Sequence, residues 1–322
     1  MNVAFLFPGQ GAQQVGMMAD LAEASLAARE VFDRADAQLG YSLSGLCFNG
    51  PARRLNATDV SQPAIFVCSA AALAAMKDAL GEKVPATRMM AGLSLGEYTA
   101  LYAADALDFG AALDLVDQRG RYMQEAAEAC PGGMISILGL DEEKVLALCA
   151  AAAEGDPGAL VPANFNCPGQ IVISGSADAC RRAAEMAADF GASGAVPLQV
   201  AGAFHSPFMR PAAERLAQAI RQAEIRRPRQ PVIANVTAAP HQGAQAIRQG
   251  LVAQMTSPVR WWQSMQYMLD DGVEAFYEIG PGRVLAGLMR RIRRTAQVKS
   301  INSADALARL AGELAGRGGF RR

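Results

Sequence analysis

Two short apolar runs, each ended by a glycine turn, constrain the fold of this chain more than any other feature. The run Val3-Ala4-Phe5-Leu6-Phe7 stops at Pro8-Gly9, and Met89-Met90-Ala91 leads into Gly92-Leu93-Ser94-Leu95-Gly96. Such continuous runs are typical of strands buried on both faces, as in parallel sheets covered by helices. Residues 64–76 form an almost wholly apolar segment that predicts a buried helix, and residues 97–104 predict another. The sequence therefore predicts an α/β fold.

The middle of the chain has a different pattern, which predicts a small inserted domain. Strand and helix patterns alternate there as βαββαβ, the order of a ferredoxin-like unit, over residues 134–138, 141–153, 160–164, 170–174, 177–190 and 194–198. The α/β pattern resumes with a helix at 207–223 and strands at 232–234 and 275–279. We therefore predict a large α/β catalytic domain formed by residues 1–130 and 199–322, and a ferredoxin-like small domain formed by residues 131–198.

Composition excludes several classes of protein. The 30 Lys+Arg and 31 Asp+Glu give a formal net charge of -1, which provides no global field for nucleic acid. The longest apolar stretch, residues 63–76, is shorter than the roughly 20 residues of a membrane span, and the start of the chain lacks the charged segment of a secretory signal. Six cysteines without CxxC spacing argue against a zinc site and fit reduced thiols. These features predict a cytoplasmic protein that binds neither membranes nor nucleic acid and holds no metal.

The GxSxG motif around Ser94 is the sharpest local signal for chemistry. A serine on a tight turn between a strand and a helix exposes its hydroxyl, and the flanking glycines allow the turn without a Cβ clash. This pattern predicts a nucleophile. The alternative is a simple turn whose serine caps the helix that follows at Glu97.

A nucleophilic serine needs a base, and the chain has only two histidines. His205 precedes Ser206-Pro207, which resemble the N-cap and first residue of a helix, so the sequence predicts a fixed imidazole there. The alternative is a loop histidine satisfied by the backbone. His241 lies in a polar, turn-like stretch and is predicted to be exposed and without a role.

Three further features allow more than one interpretation. The Gly9-Gln10-Gly11 turn lacks the complete pattern of a phosphate-binding loop, but an N–H there and that of Leu95 could stabilise an oxyanion; otherwise it only reverses the chain. Arg119 lies in a helical stretch and would ordinarily be solvated. The basic segment 290–294 is either an exposed helix face or a docking site for an acidic partner.

These motifs together resemble malonyl-CoA:acyl carrier protein transacylases and the acyltransferase domains of polyketide synthases. The resemblance covers nearly the whole chain. Its motifs are Phe7-Pro8-Gly9-Gln10-Gly11-Ala12-Gln13, Gln62-Pro63-Ala64, the segment 92–101, Gln118-Arg119-Gly120, Gly133-Met134, Asn164-Phe165-Asn166-Cys167-Pro168-Gly169-Gln170, the segment 202–205, Asn235-Val236-Thr237, Ser257-Pro258-Val259-Arg260-Trp261 and Glu278-Ile279-Gly280-Pro281-Gly282. One departure is Leu93, where the family usually has histidine, and we expect it to alter the pocket wall more than the reaction.

The resemblance implies an α/β-hydrolase-like domain with a ferredoxin-like insertion, and a Ser-His dyad without an obligatory aspartate. Ser94 would be the acylated nucleophile and His205 the base, with its Nδ1–H oriented by the main-chain carbonyl of Gln254. The main-chain N–H groups of Gln10 and Leu95 would form the oxyanion hole.

The resemblance also implies the substrates and partner. Arg119 would bind the free carboxylate of malonyl, Phe204 would crowd an α-methyl branch, and Asn166 would contact substrate. The implied reaction moves malonyl from malonyl-CoA to the phosphopantetheine thiol of acyl carrier protein in a ping-pong scheme, with no cofactor of the enzyme's own. We expect a monomer.

Two alternatives remain at this stage. A serine esterase or thioesterase of α/β-hydrolase type shares the nucleophile turn but passes the acyl group to water, and it would require an acidic third residue. A carrier-binding scaffold with an inactive site would need no Ser94 hydroxyl at all.

Overall fold

The computed structural model describes residues 2–156 and 158–318, which form two sheets surrounded by helices. The strands are β1 Val3–Phe7, β2 Thr87–Gly92, β3 Gly132–Leu138, β4 Leu160–Cys167, β5 Gln170–Ser176, β6 Gly194–Pro197, β7 Val232–Ile233, β8 Ala275–Ile279 and β9 Gln297–Ile301. The helices are α1 Ala19–Ala24, α2 Leu26–Leu39, α3 Leu43–Asn49, α4 Ala52–Leu55, α5 Thr58–Leu80, α6 Gly96–Ala103, α7 Phe109–Ala129, α8 Glu142–Ala152, α9 Ala177–Met186, α10 Arg210–Gln222, α11 Ala244–Gln254, α12 Trp261–Asp270, α13 Val284–Ile292 and α14 Ala304–Gly318.

The larger sheet is parallel and has the strand order β7-β2-β1-β8-β9. Phe7, the last residue of β1, pairs with Gly92, the last residue of β2. Ile233 at the end of β7 pairs with Ala91 of β2. Because these strands run in the same direction, the turns after Phe7, Gly92 and Ile233 emerge at one edge of the sheet, the carboxyl edge where parallel α/β sheets bind ligands.

The smaller sheet is antiparallel, with the order β4-β5-β3-β6. Helices α8 and α9 pack on it around a separate apolar cluster, and the element order is the predicted βαββαβ. Hydrogen bonds from Phe165 N to Val259 O and from Val259 N to Ala163 O join β4 to the chain before α12. The mixed α/β fold with this second sheet is therefore confirmed, while the division at residues 131 and 198 stays a prediction.

Helix α5 corrects one expectation from the sequence. The apolar stretch 63–76 is part of a 23-residue helix, because the less apolar residues at both ends are also helical. Within the described residues, Thr58–Lys83 is the segment long and apolar enough to cross a membrane, but 72% of its apolar window is buried inside the protein. It lies in the main core with α2 and α7, as expected of a central helix in an α/β protein.

Candidate active site

Ser94 occupies the tight turn between β2 and α6 in a left-handed conformation, with φ of 52°. The two glycines of the motif are required by close backbone packing: a Cβ on Gly92 would lie 1.8 Å from the carbonyl carbon of Gly96, and one on Gly96 would lie 2.2 Å from Phe7 O. Helix α6 has Leu95 as its N-cap residue and no side-chain cap. The interpretation of Ser94 as a helix cap is therefore wrong, since its hydroxyl has other partners.

Ser94 and His205, 111 residues apart in sequence, form a hydrogen-bonded pair. Ser94 Oγ lies 2.8 Å from His205 Nε2, and His205 Nδ1 lies 2.8 Å from the main-chain oxygen of Gln254. A carbonyl can only accept, so Nδ1 carries the hydrogen and the Nε2 lone pair faces the serine hydroxyl. Because the second ring nitrogen meets a carbonyl rather than a carboxylate, the arrangement is a dyad and not a Ser-His-Asp triad.

The imidazole of His205 is held in its neutral form. Burial, and after it the positive charge of Arg119, lowers the pKa of His205 to about 4, against smaller opposing effects of the main-chain bonds at Gln254 and Ser257. The ring is therefore unprotonated at neutral pH and is able to accept a proton from Ser94 Oγ.

Arg119 lies inside the protein, not on a solvated helix face as the sequence pattern alone would suggest, with 1% of its surface exposed. Its guanidinium donates to Gln62 Oε1 at 2.6 Å, to Ser94 Oγ at 3.0 Å and to Gln254 Oε1 at 3.0 Å. Among the described residues no carboxylate lies within 4.0 Å of it, and its Nε–H has no partner. Burial lowers the pKa of Arg119. A buried cation without an anion is suited to an anionic ligand.

A cleft of about 330 Å³ opens over the dyad. Of the predicted site residues, five line it: Gln10, Ser94, Asn166, Phe204 and His205. The remaining three, Leu95, Arg119 and Gln254, are fully buried beside it. Leu93 also lines the cleft, so the departure from the family pattern does alter the pocket wall.

The two proposed oxyanion donors lie in adjacent turns at the carboxyl edge of the parallel sheet. Gln10 follows β1 and Leu95 follows Ser94, and neither main-chain N–H donates to another atom in the part of the chain that the structure describes. Unpaired N–H groups beside a nucleophile can receive a developing negative charge. The oxyanion role of these residues stays a prediction.

A polar network that was not predicted from the sequence lies beneath the Ser94 turn. Glu97 accepts hydrogen bonds from Asn235 N at 3.0 Å, Gln254 Nε2 at 2.8 Å and His241 Nε2 at 2.7 Å. The expectation that His241 is exposed is wrong: 2% of its side chain is exposed, because the ring lies against Glu97 and Gly250 of α11. The signal in the sequence was Glu97, the single charged residue of helix α6, because its carboxylate needs hydrogen-bond donors once the helix is buried.

Comparisons with known proteins agree with this geometry. Residues 4–317 match the model of the acyl transferase domain. The malonyl CoA-acyl carrier protein transacylase of Escherichia coli K12 is 44% identical over 305 residues, covering 95% of this chain and 97% of the relative. That of Bacillus subtilis is 42% identical over 307 residues, covering 95% of each.

Solved structures give the same result. The malonyl CoA-acyl carrier protein transacylase of Coxiella burnetii matches with a TM-score of 0.92 and 40% identity over 98% of both chains. A malonyl-transacylase solved in complex with a type II polyketide synthase acyl-carrier protein matches with a TM-score of 0.91 and 40% identity, over 97% of this chain and 100% of that one. Sequence, fold and site geometry thus lead to one conclusion: the chain belongs to the acyl transferase domain family.

Proposed function

We propose that this chain is a malonyl-CoA:acyl carrier protein S-malonyltransferase, which transfers malonyl through an ester of Ser94. The observation that carries the proposal is the position of Ser94 Oγ, 2.8 Å from a neutral imidazole and 3.0 Å from a buried guanidinium that has no carboxylate within 4.0 Å in the described part of the chain. The named transacylases, at 42% and 44% identity, support the same substrates.

The first half-reaction forms the ester. Ser94 Oγ attacks the thioester carbonyl carbon of malonyl-CoA while its proton passes to His205 Nε2. The negative charge on the carbonyl oxygen is received by the N–H groups of Gln10 and Leu95. The C–S bond then breaks, and coenzyme A leaves as a thiol with the proton from Nε2.

The second half-reaction reverses these roles. The phosphopantetheine thiol of the carrier protein gives its proton to His205 Nε2 and attacks the malonyl ester. The C–O bond to Ser94 breaks, and Oγ recovers the proton from Nε2. The product is malonyl-carrier protein, and the enzyme returns to its starting state without a cofactor of its own.

Arg119 selects the acyl group by charge. A malonyl carboxylate provides the anion that the guanidinium lacks, whereas an acetyl group leaves the buried charge unpaired, which costs on the order of 3 kcal/mol. Phe204, buried next to His205 in the cleft wall, would crowd an α-methyl branch. One methyl group is worth only about 1–3 kcal/mol, so we expect some reaction with methylmalonyl-CoA.

The substrate carboxylate also strengthens the base. The charge of Arg119 is one cause of the low pKa of His205, and a bound carboxylate would offset that charge. Malonyl would therefore raise the pKa of His205 toward its usual value and make Nε2 a better proton acceptor. Acetyl would not.

The carrier protein would approach the cleft from the basic end of α13. Arg291 donates to Gln170 Oε1 at 2.6 Å, and Gln170 lines the cleft. Arg290 and Arg291 lie in the last turn of α13, which ends at Ile292, so only part of the segment 290–294 is helical. We propose that this end docks an acidic carrier, and that the enzyme is a cytoplasmic monomer supplying malonyl groups to fatty acid or polyketide assembly.

The direct test compares transfer with hydrolysis. The native chain is incubated with malonyl-CoA, with and without a phosphopantetheine-loaded carrier protein, and malonyl-carrier and free malonate are both quantified. We expect transfer to dominate and Ser94→Ala to abolish it. Dominant hydrolysis in the presence of carrier would favour the esterase alternative, and full activity of Ser94→Ala would exclude the Ser94 ester.

A further inference from the structure

A buried imidazole-carboxylate pair lies beneath the Ser94 turn and outside the cleft. The His241 and Glu97 side chains are 2% and 1% exposed, and neither residue lines the cleft. The pair cannot contact a substrate bound over Ser94. A buried carboxylate is nevertheless costly, so its placement requires an explanation in terms of what it holds.

Glu97 joins two residues that fix the nucleophile's main chain. One carboxylate oxygen, Oε2, accepts from both Asn235 N and Gln254 Nε2. Asn235 Oδ1 in turn accepts from Ser94 N at 2.7 Å, and Gln254 Nε2 donates to Ser94 O at 3.0 Å. Both polar groups of the Ser94 peptide backbone are therefore held by partners of Glu97.

This support matters because Ser94 has a positive φ, a strained conformation for a non-glycine residue that persists only when its surroundings enforce it. Gln254 has a second task, since its Oε1 accepts from the Arg119 guanidinium and its main-chain oxygen accepts from His205. A shift of Gln254 would thus disturb the nucleophile, the base and the carboxylate-binding group together.

We propose that His241 is a positioning residue for the transfer reaction. By donating from Nε2 to Glu97 Oε1, it satisfies the second carboxylate oxygen and holds the carboxylate where Oε2 can bind Asn235 and Gln254. Without the imidazole, Glu97 Oε1 is left buried and unpaired, so the carboxylate shifts and its hydrogen bonds to both partners weaken. The assignment rests on the proposed function.

A main-chain hydrogen bond and a neighbouring glycine fix the position of the His241 imidazole. His241 N donates to Val232 O at 3.0 Å, which fixes the loop between β7 and α11. Gly250 of α11 lies against the ring, and a Cβ there would come within 2.9 Å of His241 Cε1. Gly250 has an ordinary helical conformation, so alanine suits its backbone and only the ring must move. Gly250→Ala therefore displaces the imidazole without removing it.

The test measures how fast Ser94 is malonylated and acetylated from the two coenzyme A esters, by quenched-flow mass spectrometry. His241→Ala removes the donor, and His241→Gln restores an N–H. Gln242→Ala is the matched control, because Gln242 is exposed and, among residues 2–156 and 158–318, its side chain hydrogen-bonds only to Pro240 O. We expect His241→Ala to slow malonylation by about 10- to 100-fold and to reduce the preference for malonyl over acetyl. His241→Gln should recover most of the malonylation rate, and Gln242→Ala should react at the wild-type rate.

A purely structural role for His241 would lower the melting temperature but leave the malonylation rate and the malonyl-to-acetyl ratio of the folded variants unchanged. That result would overturn the proposal. If His241→Ala does not fold, Gly250→Ala decides: slower malonylation supports the proposal, and an unchanged rate overturns it. The rate at which phenylmethylsulfonyl fluoride modifies Ser94 is measured in the same variants. A wild-type chain that reacts with this probe but not with malonyl-CoA would refute the proposed function, while the probe rates of the variants would still test the role of His241.

Discussion

Replacing Arg119 with alanine should separate malonyl loading from acetyl loading. The guanidinium is 1% exposed and lacks a carboxylate partner among the described residues, so a malonyl carboxylate would be its counterion. Two charge-assisted hydrogen bonds to that carboxylate are worth about 3–4 kcal/mol together, which corresponds to about 10²- to 10³-fold in kcat/KM. Acetyl has no carboxylate to lose. Its loading should hold or rise, because Arg119 no longer donates to Ser94 Oγ.

The assay is the rate of Ser94 acylation from each coenzyme A ester, with three variants compared. Arg119→Lys keeps the charge but cannot form the planar fork, so we expect a malonyl loss of only about tenfold. Arg121→Ala is the matched control on the same helix: Arg121 is exposed and pairs with Asp117, and neither acyl group should be affected. Melting temperatures show whether each variant is folded.

The same variant has a second expected effect, on the base. The Arg119 charge helps to lower the pKa of His205, so Arg119→Ala should move the acidic limb of the acetyl pH-rate profile upward from about 4. Equal losses of malonyl and acetyl loading, with folding intact, would refute the assignment of Arg119 as the group that binds the carboxylate.

Three other predictions concern the base, the turn and the docking surface. In the wild type, kcat/KM for acetyl-CoA should stay constant as the pH is lowered from neutral and should fall only near pH 4, because protonated His205 cannot accept the Ser94 proton. An inflection near pH 6.5 would contradict a buried, neutral ring. Gly92→Ala should abolish activity and folding, because its Cβ would overlap the backbone of the turn. Gly287→Ala in α13, where the added Cβ meets open space, should leave stability unchanged or raise it by up to about 1 kcal/mol, and equal stability of the two variants would contradict the packing argument. Reversing the charge of Arg290 and Arg291 should raise the KM for the carrier protein at low salt more than it raises the KM for malonyl-CoA. An unchanged carrier KM would exclude this docking site.

Features with a local cause could be predicted from the sequence. The strand, turn and helix around Ser94 are encoded by a continuous apolar run and two glycines that no other residue could replace. The βαββαβ order of the small sheet follows from short alternating patterns between turns. His205 was predicted to be the base because the chain has only two histidines and one of them precedes a helix start, and the structure places its ring beside Ser94.

Features that depend on contacts between residues distant in sequence could not be predicted in this way. Helical spacing alone predicted that Arg119 is solvated, and only the resemblance to a family indicated that it binds a substrate carboxylate. Its burial depends on hydrogen bonds to Gln62 and Gln254, which are 57 and 135 residues away in sequence. His241 looked exposed because its partner Glu97 is 144 residues distant. Long-range pairing of polar groups leaves no periodic signal, so such networks emerge only from the folded chain.

The central claim is tested most directly by brief exposure of the native chain to malonyl-CoA, followed by intact-mass measurement and peptide mapping. We predict that one malonyl group is gained on the peptide containing Ser94, is absent from Ser94→Ala, and disappears when a phosphopantetheine-loaded carrier protein is added. A chain that gains no malonyl group, or gains it on another residue, would contradict the account.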